Sequence, residues 1–431
     1  MNERGLHFDA VVIGTGTAGL VAGTRLAQAG ARVCVLAKGV GSTHLAPGTI
    51  DVLGYRPKPV RSPAKGIARL AAERADHPYA LLGGELIAES LRWFTGTAAA
   101  GPFEGYGYVG GIDRNLLLPT ALGGLKPSAL APNTFAAGDS PGLDRVGIVG
   151  ISGLRDFHPS LCAGNLVLAG IDARAVTLNL RLDRADASLV GIARWFDDPR
   201  WRAEFCAELS PLLGVEEHVG LPAMLGVRDP AAVLSDLERR LGRRVFEIPG
   251  LPPSVPGMRL YEILRAALRA ARGRHVLGAE VVSCERDGDR LVSVSTQAGG
   301  RLGRYSADWF VLASGGFASG AIELDSRWVT RERVLGLPLA GVPRAGEPRF
   351  VSGVFDEQPM ARVGVAVDRE LRARGVGNVL VAGAALPGAV PWREGSGEGI
   401  ALASGYRAAQ VVAAAAGAHT GAVGGVTGAG A

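Results

Sequence analysis

An α/β protein with a largely parallel sheet is what three stretches of this 431-residue sequence predict. The first is FDAVVIGTGTAGLVAGTRLAQAGARVCVLAK, Phe8 to Lys38. The second is DWFVLASGGF, Asp308 to Phe317, and the third runs from GNVLVAGA at Gly377 to EGSGEG, which ends at Gly399. Each places an apolar run of strand length before a glycine-rich turn, as where a strand of an open α/β sheet ends at a ligand.

The first stretch is the most informative. Ala10 to Ile13 reads as a buried parallel strand, and Val33 to Leu36 as a second. Between them lie the turn Gly14-Thr15-Gly16-Thr17-Ala18-Gly19 and a helical pattern carrying Leu20, Val21, Thr24 and Leu26, stopped near Gly30. Gly14 suits a tight turn, Gly16 lets the backbone approach a pyrophosphate, and Gly19 lets the helix pack closely on the strand. The phosphates are expected on the free N–H groups of the helix that starts near Ala18. The unit predicts a Rossmann-like FAD/NAD(P)-binding fold.

The adenosine end of that fold is read less directly. The acid that ordinarily ends the second strand and binds ribose hydroxyls is replaced by Ala37, followed by Lys38. A lysine there suits a 2′-phosphate and hence NADP, although one lysine after a strand is more often simply solvated. The missing acid also leaves room for FMN, which has no adenosine.

The loop Gly39 to Tyr55 leaves the edge where ligands of such sheets gather, and it carries His44. Flavin contact, proton transfer, substrate binding and an ordinary loop position are all open to that histidine. Residues 56–144 read as loop-rich, with one helix near Glu85 to Phe94 and an aperiodic stretch from Leu117 to Leu143. Long irregular segments in compact enzymes tend to be functional, so this one is expected to line a pocket or a partner surface. Residues 145–250 read as an inserted α/β region. Its strands are Val146 to Val149 and Ala175 to Leu182, with helices at Val190 to Phe196, Trp201 to Leu213 and Ala231 to Leu241. The turn GISG lacks the fingerprint spacing of a second nucleotide site, and Trp195 and Trp201 read as core.

After Pro252-Pro253 a helix is expected over Met258 to Ala271, then a strand from Glu280 to Cys284, a turn at Asp287-Gly288-Asp289 and a return strand from Leu291 to Thr296. The strand Phe310 to Ala313 runs into Ser314-Gly315-Gly316, small residues that permit close approach of backbone to a ligand. In the third stretch a strand ends at Gly383, and Gly397-Glu398-Gly399 opens a helix running to about Ala416. That helix start offers free N–H groups where negative charge develops on a reduced flavin. The domains expected are a discontinuous Rossmann-like one of 1–55 and 251–431, the loop-rich region 56–144 and the insert 145–250.

Composition narrows the class. The chain is 47% hydrophobic and 20% charged, ordinary for a globular protein, and its 46 basic residues against 41 acidic ones form no block that would indicate nucleic-acid binding. Cys34, Cys162, Cys206 and Cys284 are far apart, so reduced thiols are expected rather than disulfides or an iron–sulfur cluster. The N-terminal residues carry no apolar secretory core, and no stretch reads as a membrane span.

The three glycine motifs, in this order, resemble those of two-dinucleotide-binding flavoproteins of the succinate dehydrogenase/fumarate reductase type. The resemblance narrows with HLAPGTIDVLG at 44–54, DHPYALLG at 76–83, GIVGISGLRDF at 147–157, LPPSVPGMRL at 251–260 and VLASGGFASG at 311–320. Together these are similar to the B subunit of anaerobic glycerol-3-phosphate dehydrogenase, over nearly the whole chain. The resemblance implies a flavoprotein, FMN or alternatively FAD, in a complex that oxidises sn-glycerol 3-phosphate to dihydroxyacetone phosphate and passes electrons to quinone. It implies an FAD-bearing A subunit and an iron–sulfur C subunit that attaches the complex to the cytoplasmic face of the inner membrane. Ala37, and Ala384 where such flavoproteins often carry an aspartate, agree with FMN.

The cofactor residues expected are therefore Gly14, Thr15, Gly16, Thr17, Ala18, Gly19, Lys38, Ala313, Ser314, Gly315, Gly383, Gly397, Glu398 and Gly399. Electron relay is the expected role of this subunit; were substrate bound here, His44 would be the base and Arg259 the phosphate ligand. The rival readings are a stand-alone fumarate reductase-type enzyme, for which Arg155 and His158 are the one close Arg/His pair in the insert, and a non-catalytic flavin-binding assembly protein.

Overall fold

Apolar side chains on both faces of a strand leave it no solvent-facing side, and the run that ends at Ile13 is accordingly buried in mid-sheet. The computed structural model describes residues 6–180, 188–353 and 356–423. The chain separates into two compact units, Met1–Gly41 with Ile67–Ser90 and Ala267–Ala431, and Ser42–Gly66 with Leu91–Ala266. The region expected to be loop-rich, 56–144, is shared between them.

The first unit is built on a seven-stranded sheet. Its strands are β1 (Leu6–Ile13), β2 (Val33–Ala37), β3 (Arg274–Leu277), β4 (Glu280–Asp287), β5 (Arg290–Ala298), β6 (Arg301–Leu312) and β7 (Val379–Val381). The order is β3-β2-β1-β6-β5-β4, with β7 also pairing β6. β3, β2, β1, β6 and β7 are parallel, whereas β4, β5 and β6 form an antiparallel meander. The long β6 serves both parts: its first half pairs β5 and its last three residues pair β7. Asn378 ties the parts together, donating to Leu291 O at 2.8 Å and Asp308 O at 2.9 Å. Helix α1 (Thr17–Gln28) follows β1, and helix α2 (Gly397–Val423) follows β7.

The second unit holds the expected α/β insert as a four-stranded parallel sheet, ordered Ala173–Leu178, Val146–Ile151, His218–Pro222, Arg244–Ile248. The strand expected to reach Leu182 ends at Leu178, and residues 181 and 182 lie outside the described ones. Its helices start on local signals: Ser188, Asp198 and Asp229 each accept a backbone N–H at an N-cap, and proline follows the last two. Trp195 and Trp201 pack on this core as expected, Trp201 edge-on to Phe196 at 4.7 Å.

The stretch 117–143 is not aperiodic. Leu116–Pro119 and Leu125–Ser128 form a hairpin turning at Gly123-Gly124, followed by a strand at Leu130–Pro132. Strands of four residues interrupted by proline are too short to show alternation in sequence. The hairpin carries Lys126 and Ser128 to Asp51: the lysine pairs with the carboxylate, and Ser128 Oγ donates to it at 2.7 Å.

The cysteines are free thiols. Burial pushes Cys34 and Cys162 up to about 12 and Cys206 to about 11. Iodoacetamide at neutral pH is therefore expected to label Cys284 alone in the native protein, because only thiolates react and the other three are buried. Rapid labelling at Cys34, Cys162 or Cys206, read by peptide mass spectrometry, would contradict this.

Candidate cofactor site

Ile13, Leu312 and Val381 lie side by side at the carboxyl ends of β1, β6 and β7. The three glycine motifs, far apart in the chain, therefore emerge from neighbouring strands at one level. Ala313 N donates to Ile13 O at 2.8 Å and Ala382 N to Leu312 O at 2.9 Å, which extends the pairing into the turns themselves.

Each fingerprint glycine answers to a contact. Gly14 has φ +115, and a Cβ there would sit 2.1 Å from Ala313 O, so the first motif lies directly against the second. At Gly19 a Cβ would lie 2.0 Å from Gly14 O. Gly16 is different: nothing lies within 4 Å of where its Cβ would be. It is open on the side where α1 begins, with no side-chain cap on that helix start. Free N–H groups facing open space make an anion cradle, and the closeness of the backbone there suits a pyrophosphate.

The second and third motifs complete the cradle. Gly315 has φ +92, and Gly316 lies so near the third motif that a Cβ would meet Ala384 O at 2.3 Å. Ser314 Oγ is buried with no hydrogen-bond partner, an orphan hydroxyl between the motifs. Gly383 N donates to Ser404 Oγ of α2 at 2.8 Å. Thr17 Oγ1 donates to Glu398 Oε2 at 2.7 Å, so the starts of α1 and α2 are joined. A Cβ at Gly405 would meet Ala18 O at 2.3 Å, the reason the two helices cross so closely. The open cradle, orphan hydroxyl and paired helix starts fit a flavin whose phosphates meet α1 and whose ring edge meets α2.

The adenosine end contains what sequence reasoning missed. Ala279 N donates to Ala37 O at 2.9 Å, and this brings Glu280 to the end of β2. Lys38 Nζ lies 3.0 Å from Glu280 Oε1, which Arg333 also contacts at 3.0 Å. Lys38, one of the expected cofactor residues, thus has an acid as its partner. An acid from a distant strand, β4, stands near the end of β2, paired there with Lys38 and Arg333. His275 of β3 reaches Thr15 Oγ1 at 2.9 Å, placing a histidine beside the fingerprint turn. No local pattern could have signalled either residue, since both arrive by strand pairing.

The two catalytic candidates lie in the second unit. His44 is half-buried, with its ring edge-on to Tyr261 at 4.9 Å, and burial lowers its pKa. Its backbone O accepts Ser254 N at 2.8 Å, while a Cβ at Gly257 would meet Thr43 O at 2.3 Å. The HLAPG and LPPSVPG blocks are therefore interlocked. Arg259 does not present itself to a ligand. It donates to Glu247 Oε2 at 2.7 Å and Oε1 at 3.1 Å, and to Gly226 O at 2.6 Å, with side chains 1% and 0% exposed. Burial by itself would lower its pKa, but Glu247 and Tyr106 hold it above the ordinary arginine value. With its donors occupied inside the protein, the expected phosphate role is corrected to a structural one. Arg155 and His158 are exposed around the turn before the helix Pro159–Leu168. Among the described residues no group of His, Cys, Asp and Glu is placed to hold a metal, and no helix is long and apolar enough to cross a membrane.

Residues 9–400 match the family described as FAD binding domain. The B subunit of anaerobic glycerol-3-phosphate dehydrogenase from Yersinia enterocolitica is 32% identical over 95% of this chain and 99% of that protein. Its namesake from Pectobacterium carotovorum is 32% identical over 94% of this chain and 99% of its own length. Among solved structures, 3-ketosteroid Δ1-dehydrogenase from Sterolibacterium denitrificans aligns at TM-score 0.45 and 13% identity, over 95% of this chain and 100% of that one. The chain belongs, among FAD-binding-domain proteins, to the family of anaerobic glycerol-3-phosphate dehydrogenase B subunits, which are flavin oxidoreductase subunits.

Proposed function

We propose that this chain is the flavin-bearing electron-relay subunit of a complex that oxidises sn-glycerol 3-phosphate to dihydroxyacetone phosphate and delivers the electrons to quinone. The observation that carries this reading is the meeting of three glycine motifs around the open Gly16 cradle. Relatives named as B subunits, at 32% identity, support the assignment to a multi-subunit dehydrogenase. The partners in this reading are an FAD-bearing A subunit and an iron–sulfur C subunit that holds the assembly at the cytoplasmic face of the inner membrane.

The flavin in this reading is FAD, not the FMN that Ala37 and Ala384 led us to expect. The FAD description of the matched family supports it, and so does Glu280 standing near the strand end where the ribose acid was missing. When bound, FAD supplies a two-electron acceptor that can also pass electrons singly. Gly14 to Gly19 hold its pyrophosphate through backbone N–H groups, and Ser314 Oγ offers the hydroxyl that has no protein partner. Gly397, Glu398 and Gly399 place the positive end of α2 toward the ring edge, where negative charge is favoured.

A second reading, substrate binding on this chain, is favoured by one observation. Burial lowers the pKa of His44 and so favours its neutral form, and the ring lies beside Tyr261, whose buried hydroxyl has no partner. A neutral imidazole is the form that accepts a proton from a substrate hydroxyl.

The test is flavin identity, followed by reduction. The chain is expressed alone and denatured, and the released flavin is identified by chromatography; about one FAD per chain is expected. FMN would overturn the cofactor assignment, and no flavin would favour an assembly role. Bleaching of the isolated chain by sn-glycerol 3-phosphate would replace the relay reading with the His44 one, and bleaching reversed by a dicarboxylate would favour the fumarate reductase-type rival.

A further inference from the structure

The block DHPYALLG lies in the first unit, and its side chains converge on the segment that leads into α2. His77 is 0% exposed and caps the short helix Pro78–Leu82, its Nδ1 accepting Tyr79 N at 3.1 Å. A nitrogen that accepts carries no proton, so the ring proton is on Nε2. That nitrogen lies 3.2 Å from Glu394 Oε2. Glu394 also accepts Ser396 Oγ at 2.8 Å and Val390 N at 3.1 Å. Burial would raise its pKa, but the bonds from His77 and Ser396 outweigh it and keep the carboxylate ionised.

The grip extends along the segment. Tyr79 Oη donates to Ser396 O at 3.3 Å. Arg74 donates to Gly388 O at 2.6 Å, and Gly388 has φ +95 and lies so close that a Cβ would meet Asp76 O at 2.2 Å. Residues 388–396 are thus held at both ends by 74–79, immediately before Gly397, where α2 begins. On its other side the first turn of α2 is held by Thr17 through Glu398.

We propose that His77 and Glu394 are positioning residues for the flavin: they hold the start of α2 in register with the fingerprint turn and thereby set flavin affinity and reduction potential. This rests on the reading of the cradle as a flavin site. The field of a helix terminus falls off within a turn, so a small displacement of Gly397 to Gly399 changes what the ring edge experiences. A backbone that must stay rigid without touching the ligand needs such a supporting shell.

Two variants of the full, flavin-loaded chain test this. His77→Ala removes both the cap and the Glu394 bond. His77→Asn retains an acceptor for Tyr79 N, a favoured cap, but is too short to reach Glu394. Both are expected to raise the flavin dissociation constant roughly tenfold, the scale of one hydrogen bond to a charged group. Both are also expected to shift the midpoint potential negative, since charge on the reduced ring loses its helix terminus. In His77→Asn the flavin-free protein is expected to stay folded with its cap intact, and the shift in midpoint potential, which a loss of stability alone would not produce, separates positioning from folding. Wild-type affinity and potential in folded His77→Asn would overturn the inference. Failure of the wild-type chain to bind any flavin would instead remove the reading beneath it.

Discussion

Replacing Arg259 with methionine is expected to destabilise the chain by about 3–5 kcal/mol, the typical cost of stranding one member of a buried ion pair. The partner left behind is Glu247, whose carboxylate is 0% exposed and accepts both Arg259 Nη1 and Nη2. Thr134 Oγ1 and Leu225 N, each at 2.7 Å, also donate to that carboxylate but cannot neutralise it. Gly226 O loses the guanidinium as well. Because the deficit is an uncompensated charge, Glu247→Gln added to Arg259→Met is expected to recover much of it. Urea denaturation of the single and double variants measures both. A loss below about 1 kcal/mol in the single variant, a surface-pair value, would contradict the buried geometry. Flavin affinity is expected to be unchanged wherever Arg259→Met is folded.

Gly16→Ala is expected to weaken flavin binding by roughly 100-fold, about 2.7 kcal/mol, while leaving the flavin-free fold nearly as stable as before. What each fingerprint glycine faces decides this. Alanine at Gly14 or Gly19 would strike backbone oxygen at 2.1 or 2.0 Å, so those variants damage the protein itself. Gly16 has an ordinary φ of −69° and nothing within 4 Å of where its Cβ would be, so its methyl enters the space assigned to the pyrophosphate. Fluorescence titration with FAD, beside thermal melts of the flavin-free protein, separates the two effects. Unchanged FAD affinity in Gly16→Ala would mean the phosphates lie elsewhere. A large drop in melting temperature would mean the space is not free in solution.

Much of the fold was legible because its signals are local. An apolar run followed by glycine at a set spacing marks a strand end, and the carboxyl ends of β1, β6 and β7 were each found that way. The helices of the second unit were expected on their apolar pattern from Trp201 and Ala231, and their caps and prolines start them slightly earlier, at Pro199 and Pro230. The hairpin at 116–128 was missed for the complementary reason, since four-residue strands carrying proline show no period.

The sequence by itself determined the strand–turn–helix units, the glycines that need close approach, the separation of the cysteines and the order of the blocks that mark the family. Those properties are encoded in spacing along the chain. Only the tertiary structure decided that Glu280 stands near the end of β2, that Arg259 is sealed against Glu247 and that His77 grips the approach to α2. Each of these joins residues whose separation in sequence carries no information, through strand pairing or burial. Charge and hydrogen-bonding capacity belong to a residue, but whether they face a ligand or a neighbour is settled by what the fold packs against them.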